Sequence, residues 1–271
     1  MGSSAPSGYF DDRSMIRRVH REPIVALSGP RALLMQAAHP VAFAGFFQST
    51  GALDDPHARL RRTANVLRLI TYGSGQAADL AAARVRAVHR RVRGRLSEPT
   101  GRFPAGTQWA ADDPDLLLWI IATLVDSALL VHDRYVGGLA RAERQAYWED
   151  YRVVGALFGL RPSDMPPSIE ELETYIEDML NGDTLQVSPA ARELAIEIVL
   201  RPPVPLRVRP LLELANFVTI GLLPGTIRRQ YGFGWDPVRG LMLRAGAEYS
   251  KRLLMPMLPQ RVRYATARGA G

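Results

Sequence analysis

The chain has five histidines and no cysteine. Imidazole chemistry therefore falls to His20, His39, His57, His89 or His132, and thiolate chemistry falls to nothing. His89, inside VRAVHRRVRG, is the residue on which most depends. With residues 76–96 on one helix, Ala78, Ala81, Ala82, Val85, Val88 and Val92 form a single stripe that includes His89. Arginines at 84, 86, 90, 91, 93 and 95 flank or oppose it. An imidazole on such a face is either a core histidine satisfied by a neighbour, or a ligand facing space that small side chains leave open.

A second constellation is Arg59-Leu60-Arg61-Arg62-Thr63. On a helix Arg59, Arg62 and Thr63 share one face, where two guanidiniums and a hydroxyl can bind an anion or polarise bound dioxygen. The bland alternative is a solvated basic face. His39 falls at a helix C-terminus, where the dipole favours its charged form or the ring simply caps the helix. His57 and His132 read as surface residues. Asp126 interrupts an apolar run and, if buried, needs a partner; an arginine is the structural expectation.

Several sites are excluded by inspection. No HExxH, Walker loop, GxGxxG after a strand or GxSxG elbow is present, and no histidine has a glutamate three residues before it. Metal or cofactor ligation then falls to single histidines. A haem iron needs one protein ligand, and the alanine-rich face of His89 would let a flat macrocycle approach a helix. Nearby arginines such as Arg59, Arg62 and Arg93 suit its propionates.

The elements that must position these residues are nearly all helices. Expected spans are 14–20, 30–39 with Pro40 ending it, 43–50 in helix or tight coil, 54–72 behind an Asp54/Asp55 cap, 76–96 and 112–131. Further helices are expected at 140–158, 168–181, 188–200, 207–223 and 236–254. Residues 97–111 read as a Pro/Gly loop with room for short strand pairings. Residues 1–12 read as a flexible leader and 13–271 as a single helical domain. The run at 115–131 is short for a bilayer span and reads as a buried central helix. The net charge of +7 is carried almost wholly by arginine and permits contact with anions or membrane headgroups. Its spread along the chain argues against nucleic-acid binding. A cytoplasmic location fits, and the oligomeric state is open.

Taken in order, REPIVALSGPRALLMQAAHPVAFAGF, DDPHARLRRTANVLRLITYGS, ARVRAVHRRVRG, ADDPDLLLWIIATLVDSALL and AERQAYWEDYRVVGALFG resemble the DUF2236 family, also known as the MpaB / rubber oxygenase (latex clearing protein) catalytic domain family. The resemblance spans about residues 9–255. It implies an all-α fold with a globin-like core, b-type haem, His89 as the proximal ligand, and Arg59, Arg62 and Thr63 on the distal side. Arg62 stands where those enzymes carry a lysine able to ligate iron, and a guanidinium stays protonated and cannot do so. Their upstream glutamate base has no counterpart between Glu22 and Asp54, so that role is vacant or passes to His39. The resemblance therefore stops short of polyisoprene cleavage. It leaves two functions: a haem b oxygenase taking dioxygen and a small apolar or aromatic substrate, or a non-catalytic helical haem or apolar-ligand binder.

Overall fold

The computed structural model describes residues 8–47 and 55–257, and within them the protein is all-α apart from one two-stranded hairpin. The helices that frame the site come first: α1 (Met15–His20), α2 (Ser28–Ala37), α3 (Pro40–Phe47), α4 (Pro56–Tyr72) and α5 (Gly75–His89). The hairpin pairs β1 (Arg93–Arg95) with β2 (Gln108–Ala110), antiparallel, with Gly94 opposite Trp109. Then follow α6 (Pro114–Tyr135), α7 (Arg141–Phe158), α8 (Ile169–Asn181), α9 (Pro189–Ala195), α10 (Arg209–Leu222), α11 (Gly225–Gln230) and α12 (Pro237–Tyr249). Wide π-helical turns extend α9 over Ile196–Leu200 and α12 over Ser250–Leu254.

The starts of these helices follow from local chemistry. Asp55 accepts a hydrogen bond from the Ala58 N–H ahead of Pro56, and Ser74 does the same for Ala77 at the start of α5. Asp113 caps α6, again with proline at the first position. Asp54, the other half of the expected cap, lies outside the described residues. Pro40 does more than end α2: it occupies the first position of α3, where its missing N–H costs nothing.

The core is organised around α6. Trp119, Ala122, Val125, Ala128 and Val131 are fully enclosed, packed against α2 on one side and α7 and α8 on the other. Among the described residues this is the one helix long and apolar enough to cross a bilayer, and most of that stretch is buried inside the fold. Asp126 meets the arginine expected of it. Arg31 of α2 donates from Nη1 to Asp126 at 2.7 Å and to the Ser127 hydroxyl at 2.6 Å, and from Nε to the Leu222 carbonyl at 2.8 Å. One guanidinium thus ties α2, α6 and α10 together.

Four sequence expectations change here. The helix drawn over 76–96 stops at His89, because residues 93–95 are drawn into the hairpin. The Trp109 ring lies so close to Gly94 that a Cβ there would sit 2.4 Å from it, so Gly94 and the strand belong together. Val88, placed on the buried stripe, is 58% exposed; Ala78, Ala81 and Ala82 form the buried part. His132 is buried, because α6 runs one turn further than expected, and its Nδ1 meets the Gly137 carbonyl at 2.8 Å. Of the leader expected over residues 1–12, the first seven residues lie outside the described ones. Phe10 is buried in the main core.

Candidate functional site

Helices α4 and α5 form an antiparallel pair closed by Gly73 and Ser74. Their register sets the beginning of α4 beside the end of α5, and so Arg59 beside His89. The His89 ring is largely withdrawn from water. Its Nδ1 is buried with no hydrogen-bond partner, and neither ring nitrogen is bonded to a described residue. Loss of solvation holds its pKa below the usual histidine value. The positive charge of Arg59 adds to this, and Asp112 opposes it. The imidazole is therefore neutral near pH 7, the form that ligates a metal.

Arg59 is partly buried and directed toward α3. Its Nη1 donates to the Phe46 carbonyl, and its guanidinium stacks over the Phe46 ring at 4.2 Å. Burial lowers its pKa, and neighbouring Arg62 lowers it further. Arg62 and Thr63 are exposed on the outer side of α4. The Thr63 hydroxyl donates back to the Arg59 carbonyl at 3.2 Å, the usual habit of a threonine inside a helix. Of the three residues expected on one functional face, the fold thus brings Arg59 to His89. Arg62 is held at one remove, acting on Arg59 through its charge. Arg93 leaves the end of α5 on β1 and pairs through Nη2 with Asp112 at 3.2 Å, while its Nε donates to the Arg90 carbonyl at 3.1 Å.

His39 sits between α2 and α3 and is buried. The expectation that a helix dipole charges it is reversed. Its Nδ1 accepts from the Ala42 N–H at 3.4 Å, so the ring caps the start of α3, whose positive end it faces. Desolvation is the largest influence on it, and its pKa is pulled down to about 4. The ring lies 5.5 Å from that of Phe103 on the loop between β1 and β2. Of the remaining histidines, His57 is half-buried with Nε2 enclosed and unpartnered, contrary to a surface reading. His20 lies 3.0 Å from the hydroxyls of both Tyr147 and Tyr151, and burial holds it at about 4.

Beside Arg59 lies a narrow apolar cleft of about 20 Å³, room for about one water molecule. Phe46 and Leu60 form its near wall, Leu33 and Ala37 of α2 its floor, and Ile198 and Val199 of the π-helical turn its far side. Gln36, the polar side chain in the lining, is turned to Thr123 at 2.9 Å. Sequence reasoning missed Phe46, Leu60 and the π-helical turn. Phe46 carried a signal as part of the apolar run PVAFAGFF; the turn carried none, since nothing in ELAIEIVL marks a wide turn.

Residues 17–252, from α1 to the turn after α12, match the family described as ER-bound oxygenase mpaB/B'/Rubber oxygenase, catalytic domain. The chain belongs to this family. It is also 26% identical over 209 residues to an uncharacterized protein of Mycobacterium bovis and to one of Mycobacterium tuberculosis; the match covers 75% of this chain and 78% of each relative. No solved structure matches it. Membership in the mpaB/rubber oxygenase family makes the fold an oxygenase catalytic domain and agrees with the all-α architecture.

The residues present suit a group held by one imidazole. Among the described residues no three histidines or carboxylates gather to hold a bare metal ion. His89, in contrast, offers a neutral ring with a buried nitrogen that nothing satisfies, at a cost of about 1–3 kcal/mol for a group left in that state.

Proposed function

We propose that this protein is a haem b-dependent oxygenase acting on a small apolar or aromatic substrate, with His89 as the protein ligand to iron. The observation that carries this reading is the orphaned, neutral imidazole of His89 beside the partly buried cation of Arg59. Haem, when bound, supplies the redox chemistry that activates dioxygen. The chain's own residues do the rest. Arg59 places a fixed positive charge beside the reacting centre and, through Phe46, against the apolar cleft. Phe46, Leu60 and Ile198 give this side an apolar lining, and the cleft they border would have to widen to accept an apolar molecule. His39, held neutral by burial, can accept a proton near pH 7 only weakly and serves to fix the start of α3. Arg62 strengthens the local positive potential without entering the cleft lining. Arg93, although paired with Asp112, remains largely exposed and is a guanidinium that suits a propionate.

The test has two stages. Protein produced with a haem precursor is expected to show a Soret band whose axial signature is lost in His89→Ala and retained in His57→Ala. Retention of the wild-type spectrum by His89→Ala would remove the ligand assignment. The reduced, loaded protein is then mixed with dioxygen and a panel of apolar and aromatic compounds, and oxygenated product is expected. A Soret band with no product from any of them would favour the second reading, a carrier of haem or apolar ligand.

A further inference from the structure

Large apolar side chains are not exposed evenly over this protein. Of the fourteen that stand largely in water among the described residues, ten lie between Leu206 and Met257. On α12 and the turn after it they have a pattern. Val238, Leu241, Met242, Tyr249 and Leu253 recur at helical spacing, and each is 51–66% exposed. The opposite side of the same helix carries Leu243 and Ala247, which pack inward with Val131, Val218 and Leu222, and it continues in the buried Ser250. The helix is thus docked on the fold by one apolar face and presents a second, separate one outward. The start of α10 adds Leu206, Leu211 and Leu214, all more than half exposed.

The charge around this surface selects what covers it. Residues 201–257 hold nine arginines and lysines against three carboxylates. Two of those carboxylates are already engaged, Asp236 by Arg239 and Glu248 by Arg252. Arg207, Arg209 and Arg244 stand next to the exposed leucines and make no ion pair among the described residues. We propose that this outward face docks on an anionic lipid bilayer. The apolar stripe enters the boundary between headgroups and acyl chains, and the flanking arginines meet the phosphates. A second copy of the chain is the poorer occupant: a two-fold pairing of this face would bring its excess arginines against their own copies. The inference stands apart from whatever His89 holds.

Co-flotation with vesicles tests it, using phosphatidylcholine alone and phosphatidylcholine mixed with phosphatidylglycerol. The protein is expected to float with the anionic vesicles, and less so as salt is raised. The double variant Leu241→Glu/Met242→Glu should lose at least about tenfold in partitioning, since it sets charge where apolar area was buried. Arg209→Gln and Arg244→Gln should each lose about fivefold. Leu80→Glu, an exposed leucine on α5, should change nothing. All five positions are exposed, and unchanged far-ultraviolet circular dichroism would confirm that the variants fold. Failure of the wild-type protein to float, or undiminished flotation of the double variant, would overturn the proposal. Light scattering supplies a further outcome against it: a dimer that the double variant converts to monomer would assign the face to a second copy.

Discussion

Arg59 and His89 lie thirty residues apart in sequence and face each other across α4 and α5, and the charge of the first helps keep the second neutral. Arg59 is itself held by the Phe46 carbonyl and ring, so the cation cannot swing away from the imidazole without giving up both contacts. Replacing it with glutamine should raise the His89 pKa toward the ordinary histidine value. Asp112→Asn should lower it further, since Asp112 opposes the shift. A nuclear magnetic resonance titration of the His89 ring, in protein without added haem, reads both signs. Movement of both variants in the same direction would sink this account of the site.

Acid should destabilise the fold before its carboxylates titrate. His20 and His39 are each held at about 4, below the ordinary 6.5, because burial penalises the charged ring. A lowered histidine pKa means that the folded state binds the proton less well than the unfolded chain. The stability tied to it is complete above about pH 6.5 and is lost as pH falls toward 4. Each ring should cost about 1.4 kcal/mol per pH unit across that window. Melting temperature measured from pH 7.5 down to 4 should fall accordingly. In His39→Asn, which keeps a capping acceptor, the slope should be shallower. An unchanged slope in that variant would show that His39 is not the titrating group.

Removal of Arg31 should be among the most damaging single changes. Arg31→Met strips donors from the Asp126 carboxylate, the Ser127 hydroxyl and the Leu222 carbonyl at once. Because Asp126 retains some exposure, water can repair part of the loss, and a cost of about 3 kcal/mol is expected by urea denaturation. Asp126→Asn keeps an acceptor for Arg31 and should cost less.

Gly94→Ala isolates the contact that ends the His89 helix. The added methyl would meet the Trp109 ring at 2.4 Å, so the ring or the strand must move. A loss of about 1–3 kcal/mol is expected, with a changed near-ultraviolet circular dichroism spectrum as Trp109 is displaced. A spectrum identical to wild type would mean that the hairpin does not rest on this packing.

Local chemistry made much of the fold legible. The Asp55-Pro56, Ser74-Gly75 and Asp113-Pro114 starts declare themselves in a few residues, and the starts of α4, α5 and α6 follow from them. What stayed hidden depends on partners distant in sequence. The end of α5 is decided by Trp109, twenty residues beyond His89. The charge state of His39 is decided by burial, and of the two readings its position offered, charging by the dipole and capping, it is capping that holds, at the helix that follows. Of the candidate site, Arg59 and His89 were visible as residue types on helical faces. Their meeting needed the α4–α5 register, and the cleft needed α2, α3 and the turn after α9.

The Gly73–Ser74 closure gives the paired helices a further property. At that end Tyr9 hydrogen-bonds Asp79 at 2.5 Å, and Gly8 approaches the Gly73 carbonyl more closely than any side chain would allow. The closed end is therefore clamped, and Arg59 and His89 lie at the opposite end, roughly 20 Å away along helices that rise about 1.5 Å per residue, where Phe46 and the hairpin hold them in turn. A splay of only about 5° at the clamped end would separate Arg59 from His89 by about 2 Å over that length, so a slight flexing there would be magnified at the imidazole.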